Sequence, residues 1–144
     1  MPSALILGAS RGIGLGLSRE LIGRGWQVVA THRGPAPELA ATGARLAVVD
    51  VDDDASVAAL AAALAGERFD HVLINAGIMG NRADTAATIS REAMAQLFWT
   101  NAIAPIRAAR RLLSLVRDGG SIGFMTSVLG SVAGRTHGAV ELYS

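Results

Sequence analysis

The run Gly8-Ala9-Ser10-Arg11-Gly12-Ile13-Gly14 lies between an apolar stretch, Ala4-Leu5-Ile6-Leu7, and a helix-like stretch that begins at Ile13. A short apolar run, a glycine turn and a helix in that order leave few folds open. A helix N-terminus carries unpaired N–H groups and partial positive charge, so it attracts a phosphate. Glycine allows a tight turn and lets a pyrophosphate approach without meeting a Cβ. In a chain that holds 17 glycines the triplet alone carries little weight. The strand before it and the helix after it supply the context such a motif requires. Gly8, Ser10, Arg11, Gly12, Ile13 and Gly14 are read here as a dinucleotide-binding turn.

Apolar runs and helical patterns then alternate along the chain. Residues 3–8 read as a buried strand, and 12–24 as a helix with Ile13, Leu17, Leu21 and Ile22 on one side, closed by Gly25. Strands follow at 27–31, 46–50, 71–75 and 121–127, with helices predicted around 38–41, at 55–65 and in one long piece from Ser90 to Val116. Asp52 or Asp53 can cap the helix at 55–65. Nearly all-apolar strands separated by helices imply a parallel sheet covered on both faces. The fold class expected is α/β, a Rossmann-type doubly wound parallel sheet that stops after about five strands. Ligands of such sheets sit at the carboxyl ends of the strands, where the strand order reverses.

Bulk properties exclude several classes. The chain of 144 residues is 51% hydrophobic and 17% charged, a folded composition, and suits one domain. Its net charge is +1, and the one basic cluster, Arg107, Arg110 and Arg111, reads as a solvated helix face, so no nucleic-acid partner is expected. Cysteine is absent, and His32, His71 and His137 lack the spacing of zinc ligands, so no metal site is expected. No apolar stretch approaches the length of a membrane span and no signal-peptide layout is visible; a cytoplasmic location is expected.

The motifs together resemble the short-chain dehydrogenase/reductases. Gly8-x-x-x-Gly12-x-Gly14 is similar to that family's cofactor turn, and Asn75-Ala76-Gly77 to its Asn-Ala-Gly after the fourth strand. Asn101, Ser127 and Tyr143 are similar to its catalytic asparagine, serine and tyrosine, in order and at suitable spacing. The resemblance implies an oxidoreductase that moves a hydride between a nicotinamide cofactor and a small-molecule carbonyl or alcohol. It casts Tyr143 as acid/base, Ser127 as the donor that polarises the substrate oxygen, and Asn101 as holder of a proton-relaying water on a helix kink. Asp50, followed by Val51, resembles the residue that bonds the adenine amino group. The second strand ends Thr31-His32-Arg33 without the acid that bonds a ribose 2′-hydroxyl. Arg33 and Arg11 suit a 2′-phosphate, so NADP (as NADPH) is expected rather than NAD.

In the family a lysine follows the tyrosine by four residues, and this sequence ends at Ser144. Without that cation to favour the ionised phenol, little turnover is expected from these 144 residues, and the fifth strand is expected to form an open edge. A non-catalytic NADP-binding sensor or regulatory role is the alternative, since the glycine turn and the two arginines meet its needs. The family also pairs commonly through the long helix. A homo-oligomer across Trp99 and Ile103 is expected, with Met94, Leu97, Phe98 and Leu112 turned to the sheet.

Overall fold

A computed structural model describes residues 1–131. The first strand, β1 (Ser3–Leu7), is buried along its whole length. Side chains of a strand alternate between faces, so an all-apolar strand can be satisfied only if both faces are covered. Leu5 and Leu7 pack on one side with Val57 and Leu60 of α3 (Asp54–Ala63) and with Ala108 and Leu112 of α5 (Ala104–Leu112). Ile6 packs on the other with Leu15 of α1 (Gly12–Gly23) and Leu39 of α2 (Pro37–Ala40).

The remaining strands are β2 (Gln27–His32), β3 (Arg45–Val48), β4 (Phe69–Ile74) and β5 (Val116–Phe124). All pair in parallel in the order β3-β2-β1-β4-β5. From β1 the chain proceeds outward through β2 and β3, then returns to build β4 and β5 on the opposite side. The reversal therefore falls between β1 and β4, and a crevice opens at their carboxyl ends.

Local chemistry explains most element boundaries. Trp26 N–H donates to the Leu21 carbonyl at 3.0 Å and Gly25 N–H to Ile22 at 2.9 Å, the paired bonds that close a helix at a glycine. Asp53 Oδ1 accepts from Ala55 N–H at 2.9 Å and starts α3; Ser90 Oγ accepts from Ala93 N–H at 3.1 Å and starts α4 (Arg91–Phe98). Helices α3 and α5 are further joined by charge. Asp54 pairs with Arg111 and, at 3.3 Å, with Arg107. The hydrogen bond from Arg111 holds the Asp54 carboxyl below the ordinary carboxylate range, and the same contact raises the guanidinium of Arg111. All three arginines of the expected solvated face are exposed, and two of them, Arg107 and Arg111, pair with Asp54 at the surface.

Three expectations need correction. The long helix from Ser90 to Val116 is four pieces: α4, a π-helical segment Trp99–Ile103, α5, and a 3₁₀ turn Leu113–Leu115. The wider π turn rotates the face presented by α5 relative to α4, so one α-period cannot run through both. Leu97 and Leu112 are buried as expected, but Met94 and Phe98 are exposed. Strand five starts at Val116 and ends at Phe124, not at 121 and 127; residues 117–120 bulge opposite Asp70, between the register pairs Phe69–Val116 and His71–Ser121. Finally, Ile13 is 61% exposed, because the first turn of α1 stands above the sheet edge, where Leu15, not Ile13, reaches the core. Among the described residues β5 pairs only with β4, and Phe124 at its end and Met125 after it are about half exposed.

Candidate functional site

The glycine turn is held from both neighbouring strands. From β2, the Thr31 hydroxyl accepts from Gly8 N–H at 3.1 Å and the Thr31 carbonyl from Ala9 N–H at 2.8 Å. From the end of β4, Asn75 Nδ2 donates to the Gly8 carbonyl at 2.6 Å. Each glycine does a separate task. Gly8 has φ +83 and packs so closely on Ala76 that a Cβ would lie 2.6 Å from its Cα. Gly12 has φ +56 and nothing within 4 Å, so it keeps the mouth of the turn open. At Gly14 a Cβ would lie 2.2 Å from the Gly8 carbonyl oxygen, and that close approach seats the helix against the strand end.

The N-terminus of α1 faces this opening and differs from those of α3 and α4. Its N-cap, Arg11, has extended backbone and gives no side-chain cap, and its first turn has no acidic residue. The other two carry a capping Asp53 or Ser90 and an acid in the first turn. Positive charge at the start of α1 is therefore left for an external anion.

Around it lies a cleft of about 630 Å³. Gly8, Ser10, Arg11, Gly12, Ile13, Arg33, Asp50, Val51, Asn75, Ala76 and Gly77 all line it, so of the expected cofactor residues only Gly14 works from behind. Arg33 approaches Asp50 at 3.8 Å, with 67% of its side chain exposed. Asp50 Oδ1 accepts from Asp52 N–H at 3.0 Å, which shapes the turn between β3 and α3. The lining of the cleft thus includes the glycine turn, two arginines, Arg11 and Arg33, and the apolar residues Ile78, Met79 and Met125.

Asn101 sits in the π-helical segment Trp99–Ile103. Its Oδ1 accepts from Ile78 N–H at 2.8 Å and its Nδ2 donates to the Ile78 carbonyl at 2.7 Å. Both side-chain groups are engaged in fixing the backbone of the cleft wall. Ser127 follows β5 at its carboxyl end, two residues past the cleft residue Met125, and opens a 3₁₀ turn in which Gly130 N–H donates to its carbonyl at 3.0 Å. Tyr143 lies outside the described residues.

Other cleft residues escaped the sequence reading as ligands. His32 and Thr100 line the cleft, and so does Asp52, considered above only as a cap. Asp52 Oδ2 accepts from Thr100 Oγ1 and from Gln96 Nε2, both at 2.8 Å, whereas its Oδ1 is buried without a donor. No metal-binding group of three or more His, Cys, Asp or Glu occurs among the described residues.

The sheet order and the crevice at its reversal define a Rossmann-type α/β protein. Residues 8–142 match the family model described as enoyl-(acyl carrier protein) reductase. The chain is 32% identical over 146 residues to 1-hydroxy-2-glutathionyl-2-methyl-3-butene dehydrogenase of Rhodococcus sp. (strain AD45), covering 99% of itself and 64% of that protein. It superposes on a carbonyl reductase of Pseudomonas aeruginosa PAO1 in complex with NADP with a TM-score of 0.93 and 41% identity, over 99% of this chain and 66% of that one. A Burkholderia multivorans structure assigned to the short-chain dehydrogenase/reductases, with bound NADP, gives a TM-score of 0.93 at 36% identity, over 99% of this chain and 65% of that one. The chain belongs to the short-chain dehydrogenase/reductase family and spans about two thirds of the length of these relatives.

Proposed function

We propose that this chain is the NADP(H)-binding portion of an oxidoreductase that reduces a small carbonyl compound or oxidises the matching alcohol. The observation that carries the reading is the cleft itself: an uncapped helix N-terminus, an open glycine turn, and Arg11 and Arg33 in its lining. A dinucleotide fits these groups, since the turn at Gly12 has room for its pyrophosphate and the guanidiniums match a 2′-phosphate. Asp50 and the Val51 backbone are suited to the adenine edge. When bound, the nicotinamide supplies or accepts the hydride.

The chain's own groups do the rest. A carbonyl that gains hydride develops negative charge on oxygen, which needs a hydrogen-bond donor and then a proton. The Ser127 hydroxyl is assigned as that donor and the Tyr143 hydroxyl as the proton source. Asn101 is a positioning residue, because its amide fixes Ile78 in the cleft wall; a relay water at Asn101 extends that role. Residues 1–144 alone are expected to bind nucleotide with little turnover.

Titration with NADPH and with NADH, followed by nicotinamide fluorescence, tests the reading. Tighter NADPH binding is expected, with Arg33→Ala lowering its affinity about tenfold and leaving NADH nearly unchanged. Equal affinities, or an Arg33→Ala variant with unaltered selectivity, count against it.

Pairing of two copies is proposed through exposed apolar residues of this region: Trp99 and Ile106, which belong to the expected strip of Trp99, Ile103 and Ile106, together with Met94 and Phe98. A monomeric mass at micromolar concentration argues against it. The lack of cysteine suits a cytoplasmic setting, and no helix among the described residues is long and apolar enough to cross a membrane.

A further inference from the structure

We infer that a second cavity, at the amino ends of the strands, binds a small organic anion with an aromatic body. The inference goes beyond the nucleotide reading and does not rest on it. Ser3, Gln27, Arg45 and Phe69 begin β1, β2, β3 and β4, and all four line this cavity together with Arg117, the second residue of β5. Its volume is about 590 Å³, within the range of small-molecule sites. It shares no lining residue with the cleft at the carboxyl ends, and the five residues of β1 run between the two, a separation of about 16 Å.

The lining sets the chemistry. It holds three arginines, Arg45, Arg68 and Arg117, and one carboxylate, Glu67. Arg45 is engaged by Glu67, whose two carboxylate oxygens both lie 2.9 Å from its Nη2. Arg117 pairs at 2.8 Å with Asp70, which stands outside the lining. Arg68 donates from Nη1 to the Glu67 backbone carbonyl at 2.8 Å and has no ion pair among the described residues. One carbonyl engages only part of a guanidinium, so Arg68 keeps charge and donors for a carboxylate or phosphate. Glu67 competes with such an anion for Arg45. The apolar lining includes Trp26, which is stacked on His71 with ring centroids 5.4 Å apart. The His71 ring is itself held, its Nδ1 2.7 Å from Ser121 Oγ. The indole is thus fixed in place, and an aromatic body meets a preformed surface there.

The probe is phenyl phosphate, with benzyl alcohol as its uncharged counterpart. Each is titrated into the chain while the Trp26 indole N–H, assigned by its loss in Trp26→Phe, is followed by NMR. Phenyl phosphate is expected to shift that signal saturably and benzyl alcohol to leave it nearly unmoved. Arg68→Gln is expected to weaken phenyl phosphate binding about fivefold, and Glu67→Gln, which releases Arg45, to tighten it about threefold. The opposite signs of these two exposed substitutions are not what a loss of folding produces, and the remaining NMR signals show whether each variant is folded. No saturable shift, an equal response to benzyl alcohol, or an Arg68→Gln variant that binds as tightly as the unmodified chain overturns the inference. Phenyl phosphate binding that weakens in Arg33→Ala places the probe in the nucleotide cleft and overturns it as well.

Discussion

Two glycines of one helix are expected to respond to the same substitution with opposite signs. Gly14 and Gly16 both lie in α1 and neither has a positive φ. In an exposed helical position, alanine is favoured over glycine by up to about 1 kcal/mol. Gly16 has nothing within 4 Å of a built Cβ, so Gly16→Ala is expected to stabilise the protein by most of that amount. At Gly14 the added carbon meets the Gly8 carbonyl oxygen at 2.2 Å, Asn75 Nδ2 at 2.7 Å and Ala9 Cα at 2.9 Å. Two of the three are backbone atoms, so no flexible side chain can swing aside to relieve the contact. Overpacking of this kind costs about 1–3 kcal/mol. Displacing Asn75 also loses its bond to Gly8, worth about 1 kcal/mol more. Set against the helical gain, the net loss is about 1–3 kcal/mol, and the two variants should differ by roughly 2–4 kcal/mol. Urea unfolding read by circular dichroism measures this as a shift of midpoint at constant slope. Gly14→Ala should also lose nucleotide affinity, whereas Gly16→Ala should keep it. If Gly14→Ala proves as stable as Gly16→Ala, the close seating of α1 on the end of β1 is not what the site requires.

Removal of the Asn101 amide in Asn101→Ala leaves the N–H and C=O of Ile78 without partners and is expected to destabilise the protein by about 1–3 kcal/mol and to weaken NADPH binding, checked by unfolding and by fluorescence titration. Asp54 is held below its unfolded value by Arg111, so the folded state binds fewer protons than the unfolded one near pH 4. Its contribution is present above the unfolded value of about 3.9 and is lost as pH falls through the folded one. Asp54→Asn should therefore lower stability at neutral pH and flatten its decline in acid, read from unfolding midpoints at a series of pH values.

What could be read in the sequence followed from burial. Strands of a parallel sheet covered on both faces appear as unbroken apolar runs, so β1, β2 and β4 were visible, and the three motifs at their carboxyl ends came with them. β5 was harder. Its first half, Val116-Arg117-Asp118-Gly119-Gly120, has the composition of a turn, and pairing with β4 overrides that local preference. The π turn at Trp99–Ile103 has no compositional mark; only the resemblance pointed to a kink at Asn101. Ile13 fits the apolar stripe of its helix, yet it belongs to the cleft because α1 begins beyond the edge of the sheet.

The π turn has a consequence that links the two ends of the cleft. It places Thr100 and Asn101, adjacent in sequence, against different partners: Thr100 on Asp52, which adjoins the pair Asp50–Val51, and Asn101 on Ile78. Asp52 takes two donors on one oxygen, and Trp99 Nε1 also reaches its carbonyl at 3.4 Å, so one short stretch of helix holds the β3–α3 turn through three contacts. The β3–α3 turn and the backbone of Ile78, both in the cleft lining, are thus tied to one stretch of helix. A shift of that element moves both, whereas two loops anchored separately could drift apart. None of this was visible beforehand, because Thr100 and Asp52 stand 48 positions apart and neither belongs to a motif. Hydrogen bonds of that separation are where a site acquires its geometry after the motifs have declared its chemistry.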